Sequence, residues 1–293
     1  MSRCTPLTRE ELKNYRLPPV KEADKDAHGR LLLIAGSSET PGSAAIAATA
    51  AMRSGCGKVT IATVEPVAPH VALAVPEALV VALPAGRDGS ISRSAAGQLA
   101  ARLKEFEYDS VVAGPGMKQG RACELLVRKL LDAHLERLSM DAAMLYALNP
   151  HGGTAERAPS AILLPHSREM AALIDCSVEE ARLEPLRCAR ECAARFDALV
   201  LMKGPTSHIA LPDGAAWKYK GGGPGLGISG SGDTLAGILG GLLARGATPL
   251  AALLWAVWLH GEAGARLAQK VGPVGFLARE ISAEVPALLA EAQ

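Results

Sequence analysis

Aromatic residues and an excess of either charge are what this sequence most clearly lacks. Phe, Trp and Tyr make up only 3% of its 293 residues, so a core must be built from Ala, Val, Leu and Ile. Lys and Arg together number 31 and Asp and Glu 30, which leaves a net charge of +1. This balance gives no reason to expect nucleic acid or a lipid surface as a partner.

Long apolar segments and paired cysteines are also missing. No apolar run reaches the roughly 18 residues that a membrane span needs, and residues 1–29 lack the apolar core of a signal peptide. The six cysteines include no CxxC pair, which indicates free thiols in a reducing compartment. Cys188 and Cys192 are interpreted as buried small side chains, the alternative being half of a metal site. We therefore expect a cytoplasmic protein that binds no nucleic acid and no membrane.

Short apolar segments alternate with longer Ala- and Leu-rich segments along the chain. The segments that predict strands are 30–36, 58–64, 78–84, the first part of 109–116, 137–141, 160–166 and 198–204, and the strand within 109–116 is expected to end in a tight loop. Those that predict helices are 41–55, 94–106, 121–134, a helix beginning within 168–174, most of 178–196, and helices from about Asp233, Pro249 and Gly275. Residues 207–220 predict a hairpin that turns at Asp213 and Gly214. The alternation predicts an α/β protein whose mostly parallel sheet is covered by helices on both faces.

No internal repeat and no long linker divides the sequence. We expect one domain over residues 1–293, with the polar segment 1–27 packed against it. Ligands of such sheets bind beyond the carboxyl ends of the strands. Polar residues and glycines follow several predicted strands, at 36–38, 114–116, 141, 165–166 and 203–204. The ligand site is expected where these residues meet.

A glycine-rich segment, 221–232, precedes a lone carboxylate at Asp233. Glycine lets a ligand approach the backbone closely, and a helix that begins here offers free N–H groups and the positive end of its dipole, which suit a phosphate. The P-loop pattern GxxxxGK[ST] is absent. Asp233 is interpreted as a base, kept ionised by the dipole, that takes a proton from an alcohol during phosphoryl transfer. The alternative is that Asp233 only caps the helix.

Several segments resemble a known family. GPGLGISGSGDTLAGILGGLLARG resembles the signature of the ribokinase-like superfamily. The segments similar to the NAD(P)H-hydrate dehydratase family are, in order, HGRLLLIAGSSETPGSAAIAATAAMRSGCGKVTIAT, VVAGPGM, LLPHSREMAALI, LVLMKGPTSHIALPDG and WLHGEAG. The resemblance implies a ribokinase-like three-layer sandwich. It also implies a carbon–oxygen lyase, an ADP- or ATP-dependent (S)-NAD(P)H-hydrate dehydratase.

The reaction that this resemblance implies repairs a damaged cofactor. Phosphate from ADP or ATP goes to the ring hydroxyl of the S epimer of hydrated NADH or NADPH, and elimination of that phosphate restores NAD(P)H. Mg²⁺ is implied as the companion of the nucleotide phosphates. The family also implies a homo-oligomer, specifically a tetramer. The chain shows no additional Rossmann-like domain, so a separate NAD(P)H-hydrate epimerase is expected as its functional partner.

The resemblance assigns site residues in three groups. The substrate-binding group is Ser43, Ala44, Gly116, His166 and Asp233, of which Asp233 is also the catalytic residue. The nucleotide-binding group is Lys203, Gly204, Pro205, Thr206, Ser207, Gly230, Ser231 and Gly232. Glu169 is assigned to a metal ion. The sequence departs from the family pattern at Ser43, Ala143, Ser207 and Gly223, where the family has Ala, Asp, Thr and Asn.

Other interpretations stay open at this point. A kinase of a small vitamin-precursor alcohol such as hydroxyethylthiazole would share Asp233 and the glycine-rich segment, and a noncatalytic nucleotide-binding regulator would need no base. His166 taken alone is typical of a core histidine, and Lys203 taken alone is typical of a solvated lysine. His260 is interpreted as packing beside two tryptophans, with a nucleotide or subunit contact as the alternative.

Overall fold

A sheet of ten strands runs through the protein in the computed structural model, which describes residues 4–19, 25–149, 157–159 and 161–292. The strands are β1 (Cys4–Pro6), β2 (Arg30–Ile34), β3 (Lys58–Val64), β4 (Leu79–Leu83), β5 (Ser110–Ala113), β6 (Leu138–Met140), β7 (Ile162–Leu163), β8 (Leu199–Met202), β9 (Ser207–Ala210) and β10 (Ala216–Tyr219). The helices are α1 (Arg9–Leu12), α2 (Pro41–Arg53), α3 (Ala68–Ala74), α4 (Arg93–Glu105), α5 (Arg121–Asp132), α6 (Ala143–Leu148), α7 (Ser167–Ile174), α8 (Val178–Leu183), α9 (Pro185–Phe196), α10 (Ser231–Ala244), α11 (Pro249–Lys270) and α12 (Ala278–Ala292).

Seven neighbouring strands form the parallel part of the sheet. The strand order is β1-β10-β9-β8-β7-β6-β5-β2-β3-β4, and every neighbouring pair from β8 to β4 is parallel. Strand β9 is antiparallel to both of its neighbours, and β1 runs parallel to β10. Residues 31–34 of β2 are fully buried, as expected for a strand that is covered on both faces. The predictions of a mostly parallel sheet and of a hairpin over 207–220 are confirmed.

The helices pack in two groups. Helices α2, α10, α11 and α12 contact one another, and so do α4 to α9. The contact between α2 and α10 is close, because a Cβ atom at Gly237 or Gly241 would overlap the carbonyl oxygens of Ala47 and Ala51. Glycine inside a helix costs about 1 kcal/mol relative to alanine, so close backbone packing is the physical reason for these glycines. Helices α2 and α10 therefore meet backbone to backbone.

Several elements differ from the sequence-based predictions. The strand predicted over 160–166 is shorter, since β7 ends at Leu163, while Ser160 lies outside the described residues. The strand and tight loop predicted over 109–116 are confirmed, because β5 is followed by a turn at residues 115–116. The helix predicted from about Asp233 begins two residues earlier, at Ser231. No pattern in the sequence predicts β1, α1, α3 or α6, since each is too short to show a clear period.

The described part of the N-terminal segment lies against the last strand of the sheet. Besides the pairing of β1 with β10, Trp255 Nε1 donates to the Tyr15 carbonyl oxygen at 2.7 Å, and Trp217 Nε1 donates to Glu11 Oε1 at 3.2 Å. The extent of the predicted single domain stays a prediction. Across the described ranges, none of the helices has the length and apolar character that crossing a bilayer requires.

Candidate active site

A cavity of about 1000 Å³ opens where β8 and the hairpin meet the start of α10. The predicted residues that line this cavity are His166, Lys203, Gly204, Pro205, Ser207, Ser231 and Gly232. The remaining wall comes from the segment between Tyr219 and Ile228, from Leu235, and from Val257, His260 and Gly261 of α11. Thr206 and Gly230 belong to the same two loops without lining the cavity. The sequence therefore predicts most of the polar residues that line the cavity, but not the lining residues that α11 contributes.

The glycine-rich segment ends at the start of α10, where two backbone N–H groups have no carbonyl partner within the described residues. Gly223 and Gly230 have φ angles of +72° and +88°, which side chains other than glycine rarely adopt. Gly230 is the N-cap of α10. Within the described chain, no carbonyl accepts from the N–H groups of Gly232 and Asp233. These free donors at the positive end of a helix dipole make an anion site at one end of the cavity.

Asp233 is the third residue of α10, and its side chain caps nothing. The interpretation of Asp233 as a helix cap is therefore wrong. Burial raises the pKa of the Asp233 carboxyl, and Asp141 raises it further, whereas the Ser43 hydrogen bond and Lys203 lower it. The helix dipole is expected to favour the ionised form, whereas burial opposes it and holds the pKa of Asp233 above its ordinary value.

Ser43 and Gly116 meet beside Asp233. Ser43 lies in the first turn of α2, and its hydroxyl is close enough to the Asp233 carboxylate to lower the pKa of that group. Gly116 has a φ angle of +64°, and a Cβ there would overlap the Ser43 side chain. The Thr40 hydroxyl donates to the Gly116 carbonyl oxygen at 2.6 Å, which ties this loop to the start of α2. Ala44 is fully buried, so its assignment to substrate stays a prediction.

His166 is the N-cap of α7 and lines the cavity. Its Nδ1 accepts from the N–H groups of Arg168 and Glu169 at 3.1 and 3.2 Å, and Glu169 Oε2 accepts from the His166 N–H at 2.7 Å. This capping box leaves Nε2 as the protonated nitrogen of a neutral ring. The side chain is 49% exposed, so the interpretation as a core histidine is wrong. His166 thus presents an N–H donor to the site.

Lys203 joins a buried cluster of charges. Its Nζ lies 2.6 Å from Asp141 Oδ1 and 3.8 Å from Glu169 Oε2, and both carboxylates are almost fully buried. Burial lowers the pKa of Lys203, but the attraction of Asp141 and Glu169 outweighs burial and raises it. Burial raises the pKa of Glu169, an effect that Lys203 opposes. The interpretation of Lys203 as a solvated lysine is wrong, since its charge is held inside the site.

Asp141 is a site residue that the sequence suggests only by its place after a strand. Its Oδ1 accepts from the Ala142 N–H at 2.8 Å as well as from Lys203. Ala142 has a φ angle of +48°, a backbone conformation that costs a non-glycine residue energy. The second carboxylate of the family pattern is Ala143, which is buried and continues into α6.

The carboxylates of this cluster do not fit a Mg²⁺ site built by the protein. Within the described residues, no group of three or more His, Cys, Asp or Glu side chains is arranged to hold a metal ion. Lys203 already occupies the position between Asp141 and Glu169, and Glu169 closes the capping box of α7. The assignment of Glu169 to a metal ion stays a prediction that the geometry does not favour.

His260 is the residue that sequence reasoning misplaces. Its Nε2 lies 3.0 Å from Ser231 Oγ and 3.1 Å from the Ser231 carbonyl oxygen, at the start of α10. The ring lines the cavity instead of serving only to pack beside Trp255 and Trp258. Burial lowers the pKa of His260 to about 4, so the ring is neutral near pH 7. A contact between residues 29 positions apart leaves no local signal in the sequence.

Comparison with known proteins shows to which family the chain belongs. A family model described as NAD(P)H-hydrate dehydratase matches residues 31–287. The chain belongs to the NAD(P)H-hydrate dehydratase family. It is 43% identical to the ADP-dependent (S)-NAD(P)H-hydrate dehydratase of Xanthomonas campestris, over 92% of this chain and 91% of that protein. It is 34% identical to a bifunctional NAD(P)H-hydrate repair enzyme of Moorella thermoacetica, of which the match spans only 51%.

Solved structures agree with this family assignment. The ADP/ATP-dependent NAD(P)H-hydrate dehydratase of Bacillus subtilis, co-crystallised with ATP and Mg²⁺, superposes with a TM-score of 0.85 at 30% identity and full coverage of both chains. A ribokinase-like superfamily protein from Enterococcus faecalis gives a TM-score of 0.83 at 23% identity, covering 99% of this chain and 96% of that one, which shows a shared fold. The prediction of a ribokinase-like fold is confirmed.

In this member of the NAD(P)H-hydrate dehydratase family, the site has two sides that meet at Asp233. The cavity and the free N–H groups of α10 lie on one side. The Ser43 hydroxyl lies on the other, with Gly116 against it. A carboxylate beside an anion site can remove a proton from an oxygen that attacks a phosphoryl group.

Proposed function

We propose that this chain dehydrates the S epimer of hydrated NADH or NADPH at the expense of a nucleoside phosphate. The family and the names of the Xanthomonas and Bacillus relatives support this proposal. The observation that carries it is the position of Asp233, between the free N–H groups of α10 and the Ser43 hydroxyl. A kinase would share the phosphate side of this site, but the family match favours dehydration.

The cavity is the proposed nucleotide site. Its volume of about 1000 Å³ is that of a site for a ligand of nucleotide size. The phosphates would accept from the N–H groups of Gly232 and Asp233 and lie near the Lys203 ammonium, which is next to Gly232. These donors are fixed before the nucleotide arrives, so they stabilise charge on the transferring phosphoryl group without rearranging.

The proposed reaction has two steps. Asp233 takes the proton from the ring hydroxyl while that oxygen attacks the terminal phosphoryl group, and the shortened nucleotide leaves. The ring-nitrogen lone pair then expels phosphate, which carries away the oxygen of the former hydroxyl. The carbon next to the one that carried this hydroxyl loses a proton, which restores the double bond. The first step turns hydroxide, a poor leaving group, into phosphate, a good one. His166 Nε2–H, which faces the cavity, would orient a substrate oxygen.

ADP or ATP would be the phosphoryl donor, and Mg²⁺ would accompany it. The Bacillus subtilis relative was co-crystallised with ATP and Mg²⁺. Because the carboxylates here do not fit a protein-built site, Mg²⁺ would be held mainly by phosphates and water, as this ion commonly is. Bound in that way, Mg²⁺ neutralises phosphate charge.

The assembly and the cellular setting are part of the same proposal. We propose a homotetramer, and the exposed Leu73, Leu183 and Val274 offer apolar surface for contact between subunits. We propose a cytoplasmic location, which free cysteines suit. A separate epimerase would supply the S epimer by converting the R epimer of the hydrated cofactor. One domain over the chain agrees with the single sheet that contains all ten described strands.

One assay tests the proposed function. Hydrated NADPH is incubated with the protein, Mg²⁺ and either ADP or ATP, and dihydronicotinamide absorbance and released phosphate are followed together. Formation of dihydronicotinamide and release of phosphate in equal amounts support dehydration. A stable phosphorylated product without absorbance would indicate the kinase alternative, and no reaction with either nucleotide would overturn the proposal. Asp233→Asn serves as the inactive control.

A further inference from the structure

The contact between His260 and Ser231 defines the hydrogen positions at the start of α10. His260 Nε2 lies 3.1 Å from the Ser231 carbonyl oxygen, which can only accept a hydrogen bond. A bare ring nitrogen at that distance would repel the carbonyl oxygen, so Nε2 must carry the hydrogen. The neutral ring that burial favours then has its lone pair on Nδ1.

The same assignment determines what the Ser231 hydroxyl can do. Ser231 Oγ lies 3.0 Å from Nε2, and since Nε2 carries a hydrogen, Oγ accepts from it. The hydroxyl hydrogen of Ser231 is then not used by His260. Within the described residues, no other acceptor is bonded to this hydroxyl. Ser231 lines the cavity beside Gly232, where the hydrogen can point toward a ligand.

We propose that His260 is a positioning residue for the nucleotide phosphates. By donating Nε2–H to both oxygens of Ser231, it holds the first residue of α10 and turns the Ser231 hydroxyl into a donor to a phosphoryl oxygen. The phosphate site then has three neutral donors in a row: the Ser231 hydroxyl and the N–H groups of Gly232 and Asp233. This inference rests on the proposed function only in taking a nucleoside phosphate as the ligand.

Nucleotide binding by His260 variants tests the proposal. His260→Phe keeps a flat ring but removes the donor, and His260→Gln keeps an N–H near the Nε2 position. We expect His260→Phe to weaken ADP binding, measured by calorimetry, about tenfold, as for one lost hydrogen bond with an unsatisfied partner. His260→Gln should restore most of that loss, and the KM for ADP should rise in His260→Phe while kcat changes little. Full ADP affinity in His260→Phe would overturn the proposal.

Adenosine separates positioning from direct contact with the base. Adenosine lacks phosphates, so its affinity, measured by ligand-detected NMR, should be the same in wild type and His260→Phe. An equal loss for adenosine and ADP would mean that His260 touches the base or ribose, which contradicts the proposal. His70→Gln, at an exposed histidine on α3, is the matched control and should change neither affinity.

A double-mutant cycle and a spectrum complete the test. If His260 acts through Ser231, the variant with both Ser231→Ala and His260→Phe should bind ADP no more weakly than Ser231→Ala alone. Additive losses would overturn the proposal. In the wild-type protein, ¹⁵N NMR should find the hydrogen of His260 on Nε2, and the opposite tautomer would also overturn it. If the wild type binds ADP but fails to dehydrate hydrated NADPH, the proposed function is wrong. The role of His260 is still tested in that case, because its test is the ADP affinity of the variants.

Discussion

The Lys203 ammonium nitrogen lies 2.6 Å from Asp141 Oδ1, although the two residues are 62 positions apart in the chain. Each comes just after a parallel strand, β8 for Lys203 and β6 for Asp141. The short strand β7 lies between them and leads to His166, and then to Glu169. Three strand ends thus place one cation among buried carboxylates next to the start of α10.

Asp233 should be needed for turnover and not for nucleotide binding. In Asp233→Asn the base is lost while the N–H donors of α10 remain, so kcat should fall about 10²–10⁴-fold, the usual contribution of a general base. The ADP dissociation constant, measured by calorimetry, should stay close to that of wild type. Asp213→Asn, in the exposed hairpin turn, is the control. Unchanged kcat in Asp233→Asn would remove Asp233 from the chemistry.

The activity should be lost on the acid side at a higher pH than an ordinary aspartate would give. Asp233 must be ionised to accept a proton, and burial raises its pKa above the usual 3.8. The measurement is kcat against pH at saturating nucleotide and substrate, in the range where the fold is intact by circular dichroism. The residual activity of Asp233→Asn should lack this limb. An acid limb at or below 3.8 would contradict the burial argument.

The same raised pKa predicts that Asp233→Asn stabilises the folded protein. A carboxyl whose pKa is higher in the folded state binds more protons there than in the unfolded state, so the free energy of unfolding falls as pH rises through that range. At neutral pH the ionised Asp233 therefore costs stability. Replacing it should raise the free energy of unfolding by about 0.5–2 kcal/mol, measured by urea denaturation. The gain should disappear at acidic pH, and a loss at neutral pH would refute it.

Breaking the Lys203–Asp141 pair from one side should be costly. Asp141→Ala leaves the buried ammonium without its nearest partner, and such changes typically cost about 3–5 kcal/mol. Replacing both residues, as Asp141→Ala with Lys203→Met, should cost less than the sum of the two single changes. Denaturant unfolding of the four proteins gives the coupling. Additive costs would show that the two charges do not support each other.

Two glycine substitutions should have opposite effects. Gly116→Ala places a Cβ against the Ser43 side chain at a φ angle of +64°, so it should destabilise the protein and reduce kcat/KM for the hydrated cofactor. Gly97→Ala, in α4 with no atom near the added Cβ, should stabilise the helix by up to about 1 kcal/mol. Thermal unfolding and steady-state kinetics check both. Wild-type kinetics in Gly116→Ala would place Gly116 outside the substrate site.

Local patterns predict the parallel strands and most of the cavity's polar residues. Strand β3 has the predicted bounds, and Lys203, Ser231 and Gly232 line the cavity because strand ends and helix starts carry recognisable residues. The pairing of His260 with Ser231 and the role of Asp141 depend on contacts distant in sequence. The balance between burial and the helix dipole at Asp233 likewise depends on how deeply the chain buries that side chain, which a single sequence does not state.

The backbone contact of α2 with α10 has a mechanical consequence. Ser43 belongs to the first turn of α2 and Asp233 to the first turn of α10, and the glycines of α10 lock the two helices together along their length. Neither helix can slide past the other without a collision of main chains. The spacing between Ser43 and Asp233 is thus fixed when the protein folds, and any adjustment to an arriving nucleotide falls to the hairpin and the glycine-rich segment that follows it.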